Sequence, residues 1–139
     1  MAEIDDQDQR ISAIFGGKIP DVTDESLETY LGYLKEHLAL PCQMTGIEDF
    51  GWEEYYVFGP GDQKEYENLK KTRPSYRDKF HLVSFEDETD EGAGILVEVR
   101  RISDRRKFTI PLAELETTER KSQNYQLLDD YSVWFVNNR

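Results

Sequence analysis

The chain has 139 residues, enough for one domain with a core of its own and too few to expect two. Its 29 acids against 17 Lys and Arg give a formal charge of −12, which disfavours attraction of the whole chain to nucleic-acid phosphate or an anionic membrane and favours cations or a basic protein partner. The single cysteine, Cys42, excludes an internal disulfide, and neither a signal-like start nor a run of membrane-spanning length is visible, so a soluble, cytoplasmic setting is expected.

Residues 1–20 carry little periodicity, and Gly16-Gly17 with Pro20 break any helix begun at 9–15, so this segment reads as a mobile or loosely docked arm ahead of one domain at 21–139. Asp24 is then placed to cap a helix whose Leu27, Tyr30, Leu31, Leu34 and Leu38 recur at spacings of three and four. Pro41 lies just past its end. Residues 42–47 read as a strand, and the aromatic run 52–58 as a second one, closed by Gly59-Pro60-Gly61. From 62 to 79 the chain is charged and mixed, with a short surface helix at 64–71, and reads as an excursion rather than core. Three strands follow at 79–85, 95–102 and 107–112, an antiparallel meander whose second connection is the short turn 103–106. The last element is a helix at 125–136, where Leu127, Leu128, Tyr131, Trp134 and Phe135 form a stripe suited to docking on a sheet. Asp129 and Asp130 fall near its first turns, where the macrodipole favours acids.

The first connection of the meander carries the chemistry. Glu86, Asp87, Glu88, Asp90 and Glu91 place five carboxylates in six residues before Gly92-Ala93-Gly94. Like charge packed this closely raises the energy of the ionised loop, and a hard cation relieves it. Calcium takes six to eight oxygens from flexible carboxylates, carbonyls and water, a set such a loop supplies. In an EF-hand register Asp87 would stand first, Thr89 third, Glu91 fifth, Gly92 at the turn and Glu98 twelfth. Thr at the third position and strands on both flanks depart from that motif. The alternative for the loop is a solvated hairpin tip whose charge discourages edge pairing. Asp49, Glu53 and Glu54 around Trp52 form a second candidate group, and Asp129-Asp130 a third.

Zinc and other soft-ligand metals are disfavoured by a lone Cys42 with only His37 and His81. No P-loop, Gly-x-Ser-x-Gly elbow, dinucleotide fingerprint or His-Glu-x-x-His is present, so the sequence offers no enzyme reading.

Several short pieces share an order with a known family. Tyr30-Leu31-Gly32-Tyr33-Leu34-Lys35-Glu36-His37-Leu38 runs into Leu40-Pro41-Cys42, and the acidic loop precedes the strand that opens at Ile95. Ile110-Pro111-Leu112-Ala113-Glu114-Leu115-Glu116 and the aromatic Asp130-Tyr131-Ser132-Val133-Trp134 follow. In this the chain resembles the small cyanobacterial-type calcium-binding proteins that lack EF-hands, over about residues 27–134. The resemblance implies an α+β fold with a small antiparallel SH3-like barrel flanked by an N-terminal and a C-terminal helix, binding Ca²⁺ through acidic side chains. The function expected is a calcium buffer or sensor; the alternative is an acidic SH3-like module that meets a basic partner without metal.

Overall fold

The computed structural model describes residues 6–139; residues 1–5 of the expected arm lie outside the described residues. Helix α1 spans Asp6–Ile14 and ends ahead of Gly16 and Gly17, both at positive φ. It is docked: Ile11 is buried, and the Arg10 guanidinium sits on Asp130 with both oxygens at 2.9 Å. Residues 6–14 of the arm are therefore packed against the rest of the chain, by a contact that joins positions 120 residues apart.

Helix α2, Asp24–His37, buries Leu27, Tyr30, Leu31 and Leu34, the faces its spacing predicts. Its cap is Thr23 and not Asp24. The Thr23 hydroxyl accepts from the Ser26 amide while the Ser26 hydroxyl accepts from the Thr23 amide, so two of the orphan donors are satisfied reciprocally.

Strand β1 is Cys42–Gly46, β2 Lys79–Asp90, β3 Gly94–Arg101, β4 Lys107–Pro111 and β5 Leu115–Thr117. They form one antiparallel sheet in the order β4-β3-β2-β1-β5. The sheet is open, with β4 and β5 at its two edges, so the barrel expected from the resemblance is not closed by strand pairing. β5 was not legible in the sequence. It is three residues long, follows a 3₁₀ turn at Leu112–Glu114, and is held by pairing with β1.

The expected strand at 52–58 is helical: a 3₁₀ turn at Gly51–Glu53 runs into α3, Glu54–Val57. The cause is Glu53, which is buried and folds back so that its Oε2 accepts from the Phe50 amide at 3.0 Å. A strand would hold that carboxylate away from its own backbone. Helix α4, Gln63–Leu69, is capped by Asp62 and completes the excursion. The final helix α5, Gln123–Asn138, is capped by Ser122, so Asp129 and Asp130 lie in its second turn, beyond the first-turn amides.

Helices α2 and α5 cover one face of the sheet, and their side chains meet Met44, Phe80, Leu82, Ile95, Val97 and Val99 in a single core. Trp134, fully buried, donates its indole N–H to the Pro20 carbonyl at 3.0 Å and lies 5.0 Å from the Tyr30 ring. Among the described residues no helix is long and apolar enough to cross a membrane.

Candidate functional site

The acidic run is the far end of a strand, not a free loop. Glu86 to Asp90 belong to β2, and the turn proper is only Glu91 to Ala93. Pairing slips by one residue at Val83, between Leu82↔Val99 and Ser84↔Glu98, and slips again between Phe85↔Val97 and Thr89↔Ile95, where three residues, Glu86, Asp87 and Glu88, stand opposite the single Leu96. That bulge breaks the strict in-and-out alternation of the strand at the point where carboxylates are densest.

Each acid has a distinct setting. Asp87 is almost fully exposed and lies 3.1 Å from the Lys35 ammonium of α2. Asp90 is tied into the turn, its Oδ1 accepting from the amides of Gly92 at 2.7 Å and Ala93 at 2.8 Å. Glu86, Glu88 and Glu91 make no hydrogen bond or ion pair among the described residues. The turn itself is fixed from below. The Tyr131 hydroxyl of α5 accepts from the Ile95 amide at 2.9 Å, and Gly94, at φ 80°, passes so close that a Cβ there would collide with that hydroxyl.

A groove of about 570 Å³ opens beside the turn, lined by Gly92 and Ala93 together with Glu48, Asp49, Glu114 and Arg139. Asp49 is thus brought to the same groove as the hairpin turn. Glu48 and Glu114 join it, and only Glu48, adjacent to Asp49, was visible as a neighbour in sequence. Glu114 is exposed at the rim, yet the wall behind it partly desolvates the carboxyl and raises its pKa above the ordinary value.

Glu53 and Asp130, among the other candidates, are engaged within the fold. Both oxygens of Glu53 are engaged: Oε2 by the amides of Phe50 and Tyr76, Oε1 by the hydroxyls of Tyr66 at 2.8 Å and Ser75 at 2.6 Å. Asp130 holds Arg10, and Gln7 bridges it to the exposed Asp129. Glu54 is exposed on α3. The His37 imidazole Nδ1 lies 2.8 Å from the Tyr33 carbonyl, and the buried Cys42 thiol, its pKa pushed up by desolvation, contacts Thr117 and Glu119.

Among the described residues, no three His, Cys, Asp or Glu side chains stand together as a ready cage for a metal. The donor chemistry is nevertheless that of a hard cation. The side chains on and beside the turn offer oxygen donors, the type calcium takes together with carbonyls and water, and not the nitrogen and sulfur that a tetrahedral soft metal prefers.

An α+β fold with an acid-rich hairpin defines a candidate hard-cation protein, and comparison with known proteins gives its family. Residues 60–135, more than half the chain, match the CcbP family, described as calcium binding. The chain belongs to that family, and Ca²⁺ is the family's ion. The crystal structure of Anabaena CcbP is similar over 99% of this chain and 94% of that one, at 13% identity and a TM-score of 0.59. A calcium binding protein in the calcium-binding form is similar over 98% of this chain and 96% of its own, at 15% identity and the same TM-score. No curated protein matches the sequence.

Proposed function

We propose that the chain binds calcium at the bulged end of the β2–β3 hairpin, through Glu86, Asp87, Glu88, Asp90 and Glu91, as a buffer or sensor in a reducing compartment such as the cytoplasm. The observation that carries this is the three-against-one bulge, which sets the half-buried Glu86 and the exposed Asp87 and Glu88 together at a strand end beside the turn acids Asp90 and Glu91, the side chains of Glu86, Glu88 and Glu91 having no partner among the described residues. Binding neutralises the cluster and draws Asp87 away from Lys35, shifting the tip from a mobile population to an ordered one. Asp49, with Glu48 and Glu114 lining the same groove, is the favoured second site. We read the open sheet as SH3-like; the strand order and the 3₁₀ turn between β4 and β5 support it.

The test is calorimetry of the metal-stripped protein with Ca²⁺. Replacing Asp87 and Asp90 by Asn keeps the turn-capping oxygen of Asp90 but removes two charges, and lowers affinity at least tenfold, about 1.4 kcal/mol. Replacing Asp6 and Asp8 by Asn makes the same change in net charge on exposed positions of α1 and leaves affinity nearly unchanged. Equal losses in the two variants would show diffuse attraction and remove the hairpin as the site.

A further inference from the structure

The charge of −12 hides a positive pole. Ten of the seventeen Lys and Arg residues lie in two segments, 70–79 and 100–107, against two acids, Asp78 and Asp104. Both of those acids are bonded to the buried guanidinium of Arg101, which also takes the carbonyls of Lys70, Lys71 and Arg73 and so fastens the first segment beside the second. The acids are largely spent, and of the exposed bases around them only Arg106 has a carboxylate partner among the described residues.

Strand register sets these charges side by side. His81 pairs with Arg100 and Arg100 pairs with Lys107, so the three side chains form a row across β2, β3 and β4 on the face turned away from the helices. All three are exposed, as are Lys79 two residues along β2 and Arg105 and Arg106 in the adjoining turn. Among the described residues Lys79, Arg100, Arg105 and Lys107 make no ion pair. Arg106 shares Asp104 with Arg101, and the next row carries Glu98, which accepts from Ser84. Like charges directly opposite across a ladder destabilise a sheet, and the Arg100–Lys107 pair is such a case. An anion laid over the row relieves it.

We propose that this face binds the phosphate backbone of a nucleic acid. Three points favour that over an acidic protein. Arginine predominates in the row and turn, and its planar fork matches phosphate. Ile102 is the only exposed large hydrophobic residue within the two segments among the described residues, whereas protein partners anchor on desolvated apolar and aromatic side chains. A polyanion strand also gains from counterion release, which needs no apolar anchor. The acidic hairpin does not veto this. At about 3.3 Å per residue along β2 its carboxylates begin about 17 Å from His81 at Glu86 and reach about 30 Å at Asp90, about two to four times the Debye length of about 8 Å at physiological salt. With no exposed aromatic in the row, bases are not stacked, and binding is independent of sequence and steep in salt.

The full chain is titrated into a fluorescently labelled 15-nucleotide single strand and a 20-base-pair duplex at 50 and 200 mM KCl, with anisotropy as the readout. Binding is expected at 50 mM, weakening more than tenfold at 200 mM. A triple variant, Arg100→Gln, Arg105→Asn and Arg106→Gln, weakens it at least tenfold; Asn at 105 respects the positive φ there. A control triple, Lys18→Gln, Lys64→Gln and Lys121→Gln, stays within about threefold. If the first triple fails to fold, Arg100→Gln and Lys107→Gln alone each lower affinity about threefold. No binding to either nucleic acid at 50 mM, equal losses in both triples, or tighter binding of poly-glutamate or phosphatidylserine vesicles than of nucleic acid would each overturn the proposal.

Discussion

Removing the Glu53 carboxylate takes away the acceptor for four buried or half-buried donors at once. Two are main-chain amides, of Phe50 and Tyr76, which cannot turn elsewhere; two are hydroxyls, of Tyr66 and Ser75, which can. An orphaned buried donor costs about 1–3 kcal/mol, so the two fixed amides alone set a loss of about 2–6 kcal/mol for Glu53→Ala, centred near 4. Glu53→Gln is the informative companion. Its carbonyl serves both amides, and its NH₂ donates to the two hydroxyl oxygens, which lose only their own donations, so about 1–2 kcal/mol is expected. Urea unfolding followed by tryptophan fluorescence and far-ultraviolet dichroism measures both. With a slope of about 2 kcal/mol per molar, the alanine midpoint falls by about 2 M with the slope unchanged. A glutamine variant as unstable as the alanine one, or an alanine variant within about 1 kcal/mol of the parent, would refute the hydrogen-bond account. Calcium affinity of the glutamine variant is expected at the parent value, since both oxygens of this carboxylate are engaged by protein donors.

Arg101→Met strips three carbonyls and two carboxylates of their shared donor and is expected to cost about 3–5 kcal/mol in the same unfolding assay. It also changes the acid limb. Arg101 holds Asp104 down at about 2, so this contribution to stability is complete above the ordinary carboxylate pKa near 3.8 and is lost as pH falls through 2; the variant loses less stability over that window. Tyr131→Phe leaves the buried Ile95 amide unpaired, costs about 1–3 kcal/mol, and speeds hydrogen exchange at that amide. Trp134→Ala, opening a cavity between α2, α5 and the segment leading into α2, costs about 3–5 kcal/mol; an unchanged midpoint would mean that α5 is peripheral.

Elements with their own periodicity were legible in the sequence. The 3.6-residue stripes of α2 and α5 name their buried faces, and the β-branched runs name β3 and β4. Elements created by distant partners were not. β5 exists because residues 115–117 find β1 seventy residues earlier, and α3 because Glu53 finds donors at 66, 75 and 76. The same limit governs the site. Charge density marks the stretch 86–91 at sight, but whether it is loop or strand depends on a bulge set against Leu96. Counting carboxylates cannot separate Asp130, spent on Arg10, from Glu88, spent on nothing among the described residues. Net charge likewise conceals the row on the outer face, because cross-strand register, not composition, brings His81, Arg100 and Lys107 together.

The stretch from residue 48 to 79 has a small core of its own. The rings of Trp52, Tyr56 and Tyr66 lie within 6.2 Å of one another around the buried Glu53, and the Arg101 fork and the close passage of Gly46 against the Tyr76 backbone fasten the stretch to the sheet. Few other main-chain bonds cross that seam, so the stretch can melt as a cooperative unit while the sheet and its helices persist. In amide exchange its protected positions would then open together at a lower free energy than those of β2 and β3. Residues such as Asp49, at its leading edge, would gain freedom to swing toward the hairpin, at the cost of the contacts that Phe50, Trp52 and Tyr76 make with the main core.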